Sequence, residues 1–121
     1  MNEQQKLESY FEERIAVCKQ RSRQLAEEER IDEANFEKVR ANVYDIFKTI
    51  LSAAERVCGK DDLAERRFFL QKMEQIPTSW AVSYEKAKQN GNNEKIHIES
   101  IKLDTVREIK DVCMQIWEET I

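Results

Sequence analysis

Two glycines and one proline in 121 residues leave this chain few places to turn. The breakers are Gly59, Pro77 and Gly91, so a compact fold must be built from the long stretches between them. Those stretches are rich in Glu, Lys, Gln, Arg and Leu, which favour helix, and their apolar residues recur every three or four positions. Charged residues make up 36% of the chain and hydrophobic residues 40%. The first figure exceeds the usual share of about 25%, while the second is too high for a disordered composition. The length fits one domain, residues 1–121.

One apolar row runs through Leu7, Phe11, Ile15, Cys18 and Leu25, with Ser22 as a polar layer within it. A second helix carries two adjacent rows. Phe36, Val39, Val43, Ile46, Ile50, Ala53 and Val57 form the first of these, Tyr44, Phe47, Leu51, Ala54 and Cys58 the other. Together they cover near half the helix circumference, which predicts the most buried helix over 33–58, ended by Gly59 in a left-handed position.

Between these helices the stretch RQLAEEERIDEANFEKV, residues 23–39, contains no breaker. The apolar phase runs through it unbroken, so one rod is geometrically allowed. Its next two core positions would be Glu29 and Asp32, however, and burying unpaired carboxylates is costly. Asp32 is a good N-cap, with Ile31 and Phe36 placed as a hydrophobic staple. A tight turn near Arg30 to Asp32 is expected, although Glu27, Glu28 and Glu29 give the preceding helix the wrong charge for its C-terminal dipole.

Asp62 with Glu65 resembles a capping box opening a third segment. Leu63, Phe69, Leu70, Met73, Ile76, Trp80, Tyr84 and Ala87 share its broad face, and the phase survives Pro77. An interior proline removes a hydrogen bond and clashes one turn back, so a kink or break is expected there, with Thr78 or Ser79 capping the restart. NGNN, residues 90–93, is a turn signal. KIHIESIKL, residues 95–103, alternates like a strand, but no partner strand exists elsewhere. A last helix from Asn93 or Glu94 is expected, with Thr105 and Glu108 marking a possible later start. Four segments of 26 to 29 residues, each about 40 Å long, predict an all-α, antiparallel up-down-up-down four-helix bundle whose third helix is kinked or broken at Pro77.

Cys18, Cys58 and Cys113 form no CxxC, and their odd number excludes complete pairing within one chain. No apolar leader follows Met1, and no apolar run reaches the length of a membrane span. A cytoplasmic setting with free thiols is expected, without membrane contact. The net charge of −4 argues against nucleic-acid binding. Glu94 and His97 make one Glu-x-x-His, but a di-iron site needs two and His97 is the sole histidine. No nucleophile–base pair or glycine-rich phosphate loop is found, so no catalytic residue, metal or cofactor is expected.

Some apolar residues fall off the core faces. Tyr10, Val17, Gln24 and Ile31 lie on the far side of the first helix at heptad spacing. Ile96, Leu103, Met114 and Ile121 form a row on the last helix, with Trp117 at its border, and Phe68 points away from Leu70. Such rows suit a partner surface. A non-enzymatic interaction module is expected, with a protein partner or a second copy of the chain. The alternative is a small apolar or aromatic ligand held near Pro77 by Ile76, Trp80 and Tyr84.

Overall fold

A computed structural model describes residues 2–119. Among these residues the secondary structure is helical throughout: α1 (Glu3–Glu27), α2 (Ile31–Cys58), α3 (Asp62–Gln75), α4 (Pro77–Asn90) and α5 (Asn93–Glu119). With α3 and α4 taken as one segment in two pieces, the chain is an all-α four-helix bundle. Residues 95–103 lie within α5, so the strand-like alternation is overridden by helix. The later start at Thr105 is not used either. The Thr105 hydroxyl donates back to Ile101 O at 2.7 Å, inside a continuous helix.

The turn at the start of α2 falls slightly earlier than expected. Leu25 O accepts from Arg30 N at 2.9 Å, and Ala26 O accepts from Glu29 N at 3.1 Å. This is a Schellman closure with Glu29 in the left-handed position, φ 63°. Arg30 precedes α2 and makes no side-chain cap. Asp32 therefore sits inside the first turn and is not the N-cap. The predicted staple is also absent, because Ile31 is 55% exposed. The acidic end of α1 is offset by Arg30, which pairs with Glu28 at 3.5 Å and with Glu33. The same closure ends α4, where Gly91 takes the left-handed place at φ 67° and Asn92 N donates to Ala87 O. Glycine adopts that conformation freely, whereas glutamate is disfavoured by about 1 kcal/mol. Glu29→Gly should accordingly raise the unfolding free energy by about 1 kcal/mol, read as a rise of the melting temperature by several degrees.

Gly59 follows α2 at φ 64°, ψ −125°. Its φ is positive as expected, but the ψ belongs to the first inner position of a II′-type turn, closed by Asp61 N to Cys58 O at 3.3 Å. Asp61, not Asp62, caps α3, accepting from Ala64 N at 3.1 Å. The predicted capping box is thus displaced by one residue, and Glu65 takes no part in it. At the next junction Ile76 has helical backbone angles and Pro77 is the first residue of α4. Neither Thr78 nor Ser79 caps α4. Their hydroxyls donate to Glu74 O and Ile76 O instead.

The core is centred where α1, α2, α3 and α5 all meet. Leu7, Phe11, Tyr44, Phe47, Leu51, Phe69, Met73, Ile109, Cys113 and Trp117 are buried in it. Phe69 is its hub, with ring centroids 6.0 Å from Phe47 and 6.3 Å from both Phe11 and Trp117. Of the two α2 rows, the one holding Tyr44, Phe47, Leu51 and Ala54 is buried. Val43 alone of the other row is fully buried, and Val57 is exposed. Ser22 is the buried polar layer foreseen in α1, its hydroxyl donating to Ala34 O at 2.9 Å.

Candidate functional site

The off-face residues do not share one surface. Ile31 and Met114 are well exposed, Met114 at 47%. Tyr10, Val17, Phe68, Ile96 and Leu103 are half-buried. Trp117 is 6% exposed and stacked edge-on against Phe69, which makes it a core residue and not a surface border. Ile121 lies outside the described residues. Phe36 near the start of α2 stacks on His97 near the start of α5, with centroids 4.2 Å apart. Ile31 therefore belongs to the His97 end of the bundle. Met114 lies 17 positions further along α5, about 26 Å away at the helical rise. Ile31 and Met114 therefore lie at separate places on the surface.

Tyr10 is held by chemistry rather than left free. Its hydroxyl donates to Glu108 at 3.0 Å, and the Tyr44 hydroxyl donates to the same carboxylate oxygen. Arg14 donates to the Tyr44 hydroxyl at 3.4 Å with its guanidinium 5.6 Å from the ring centre. This network ties α1 and α2 to α5. Burial raises the Tyr44 phenol from its ordinary 10.0 to about 12, with the Glu108 hydrogen bond adding to it. Burial, then the charges of Tyr44 and Glu108, also push the Tyr10 phenol well up. Both groups stay protonated at neutral pH.

The cysteines are free. Burial raises the Cys113 thiol to about 12. Burial followed by the charge of Glu37 raises Cys18 to about 11. Neither thiol has the lowered pKa of a nucleophile. His97 is exposed at the rim of a cleft of about 320 Å³ that also involves Asp32, Phe36 and Glu94. Its ring face is occupied by Phe36.

The aromatic residues near Pro77 are engaged. Ile76 and Trp80 are half-buried and pack against the core. Lys102 places its ammonium 5.4 Å from the Trp80 ring centre, and Lys88 does the same to Tyr84 at 5.1 Å.

α4 is the least covered helix. Ala87 is its one fully buried residue. Among the described residues it packs on α5 and adjoins α3, without reaching α1 or α2. Its outer side carries a shallow depression lined by Thr78, Ala81, Val82, Glu85, Lys86 and Gln89, with Val82 at 51% exposure. Val82 is not among the contact candidates that the sequence singles out. The signal that finds it is the lack of any second helix facing α4, which is visible only in the packing. Comparison with protein-family models, with curated proteins and with solved structures finds no match to this chain.

Proposed function

We propose that this chain is a non-enzymatic protein–protein interaction module that self-associates through the outer face of α4. The single observation behind this reading is the one-sided packing of α4, which buries only Ala87 in 14 residues. Isolated helices of this length are marginal in water and draw their stability from packing. A second copy laid across Val82 and Ala81 would supply it. Glu85 and Lys86 flank these residues, so an approaching copy meets both signs of charge rather than a repulsive field.

The bundle is taken to run up-down-up-down, with its third segment bent at Pro77. Supporting this are the Ser22–Ala34 contact beside the α1–α2 turn and the Gln4–Glu55 contact at 2.8 Å at the far end of the same pair. The setting is taken as cytoplasmic. Three free cysteines, two of them buried, suit a reducing compartment. No helix among the described residues is long and apolar enough to cross a membrane.

Sedimentation velocity of the wild type and of Val82→Glu tests the reading. The wild type should form dimers with rising concentration. Val82→Glu should weaken association about tenfold or more, since a charge in the centre of such a contact costs more than about 1.4 kcal/mol. Because Val82 is exposed, the variant should keep the helical content and melting temperature of the monomer. A wild type that stays monomeric at high micromolar concentration would refute self-association.

A further inference from the structure

We propose that the groove between α1 and α2 receives the α1–α2 turn of a second copy of the chain, in a reciprocal contact separate from the α4 face. The groove has a volume of about 430 Å³ and is lined by Lys19, Ser22 and Arg23 of α1 and by Lys38, Ala41 and Asn42 of α2. Its floor is Ala41 and Ser22, both buried, and the Ser22 hydroxyl is already bonded to Ala34 O. Lys19, Arg23 and Lys38 are exposed at its rim, and no carboxylate lines it. Among the described residues none of these cations enters an ion pair. Arg23 Nε donates to Lys19 O at 3.4 Å, which keeps the guanidinium on the Lys19 side of α1. Lys19 and Arg23, one turn apart on one helix face, repel each other, and Lys38 adds a like charge from α2. The arrangement costs the separate chain stability, and an acidic occupant turns that cost into attraction.

The chain itself carries the matching segment. At the α1–α2 turn Ile31 is 55% exposed, with Glu27, Glu28, Glu29, Asp32 and Glu33 beside it in sequence. Arg30 pairs with Glu28 and Glu33, whereas Glu27, Glu29 and Asp32 enter no ion pair among the described residues. The last turn of α1 holds no basic residue, so Glu27 and Glu28 oppose the helix dipole without compensation from their own helix. Cations of a neighbouring copy supply it, and Ile31 gives the contact an apolar tip for the Ala41 floor. The geometry allows both copies to do this at once. At about 100° per residue, Ile31 and Lys38 fall within about 20° of each other on α2, about 10 Å apart along the helix. Turn and groove thus lie side by side on one face. A two-fold axis between them sets each copy's turn on the other's groove, and the assembly closes as a dimer.

This contact is ionic and does not rest on the α4 reading, so the test removes the α4 face first. Sedimentation velocity follows the full chain carrying Val82→Glu at about 20 mM and about 500 mM salt. A dimer is expected at low salt, weakened about tenfold or more at high salt, where exposed charges are screened. Two charge-reversed chains are then made in the same background. One carries Lys19→Glu, Arg23→Glu and Lys38→Glu, the other Glu27→Lys, Glu29→Lys and Asp32→Lys. All these positions are exposed, so both chains should keep their helical content by circular dichroism. Each alone should be monomeric at low salt, because its turn and its groove then bear the same sign. Mixed in equal amounts they should dimerise, because each turn again meets a groove of opposite sign. A Val82→Glu chain that stays monomeric at low salt up to high micromolar concentration would overturn the proposal, while dimerisation of the wild type would still support the α4 face. A reversed chain that dimerises alone as the parent does, or a mixture that stays monomeric, would overturn it equally and leave the groove to some other acidic partner.

Discussion

Phe69→Ala should lower the unfolding free energy by about 3–5 kcal/mol, the usual cost of truncating a buried phenylalanine. Phe69 is fully buried and touches an aromatic ring from each of α1, α2 and α5. Its removal therefore leaves a cavity where α1, α2, α3 and α5 meet. The loss is a large part of a total of about 5–15 kcal/mol for a domain of this kind. Denaturant unfolding measures it directly, as a lower midpoint with little change in slope. Phe69→Leu, which keeps most of the volume, should cost clearly less. Equal losses for the two variants would mean that Phe69 is not the hub of the packing.

The second large effect is expected at Tyr44. Tyr44→Phe removes the bond to the ionised Glu108 while keeping the ring in the core. Bonds to charged groups contribute about 1.5–3 kcal/mol, and the loss should fall at the lower end because Glu108 is exposed and retains Tyr10. The pH dependence makes the assignment specific. The Tyr44 phenol titrates near 10.0 in the unfolded chain and is pushed up to about 12 in the folded one. Between these values the folded protein holds the proton that the unfolded chain has released, so stability falls as pH rises. The contribution is intact below pH 10 and lost by about pH 12, amounting to roughly 2–3 kcal/mol at one pKa unit per 1.36 kcal/mol. Tyr44→Phe should flatten part of this alkaline slope, measured as the unfolding midpoint between pH 9 and 12. Tyr10, Cys18 and Cys113, also held up by burial, contribute to the rest of the slope. A slope identical in the variant would show that Tyr44 ionises as freely in the folded protein as in the unfolded chain.

Much of the helical framework could be read from spacing. The 3-4 rhythm, Gly59, Pro77 and NGNN marked where helices run and stop, because helix periodicity and backbone breakers act locally. Ser22 was placed correctly as a buried polar layer for the same reason. Caps were less accurate. Asp32 and Asp62 each have a neighbour able to end the turn one or two residues earlier, and the choice falls to the backbone closure at Glu29 and Gly59. The ranking of the two α2 rows was not legible at all. Both are equally apolar, and only the positions of α1, α3 and α5 decide that Phe47 is buried and Val57 is not. Trp117 was misjudged as a border residue because a moderate error in helix phase carries a large ring from rim to core.

The candidate site was harder still. Heptad spacing pointed to Tyr10 and Leu103, yet their rows are partly covered by the neighbouring helices. The face proposed here for self-association is on α4, whose amphipathic pattern looked like that of any core helix. What distinguishes it is the partner it lacks, and that depends on how far α4 stands from α1 and α2.

The most direct test of the central claim is backbone hydrogen exchange of α4, residues 77–90, measured at low and at high protein concentration. If a second copy covers Val82 and its neighbours, protection of these amides should rise with concentration while that of the core amides around Phe47 and Ile109 stays constant. Exchange in α4 that is fast and independent of concentration would contradict the interaction reading.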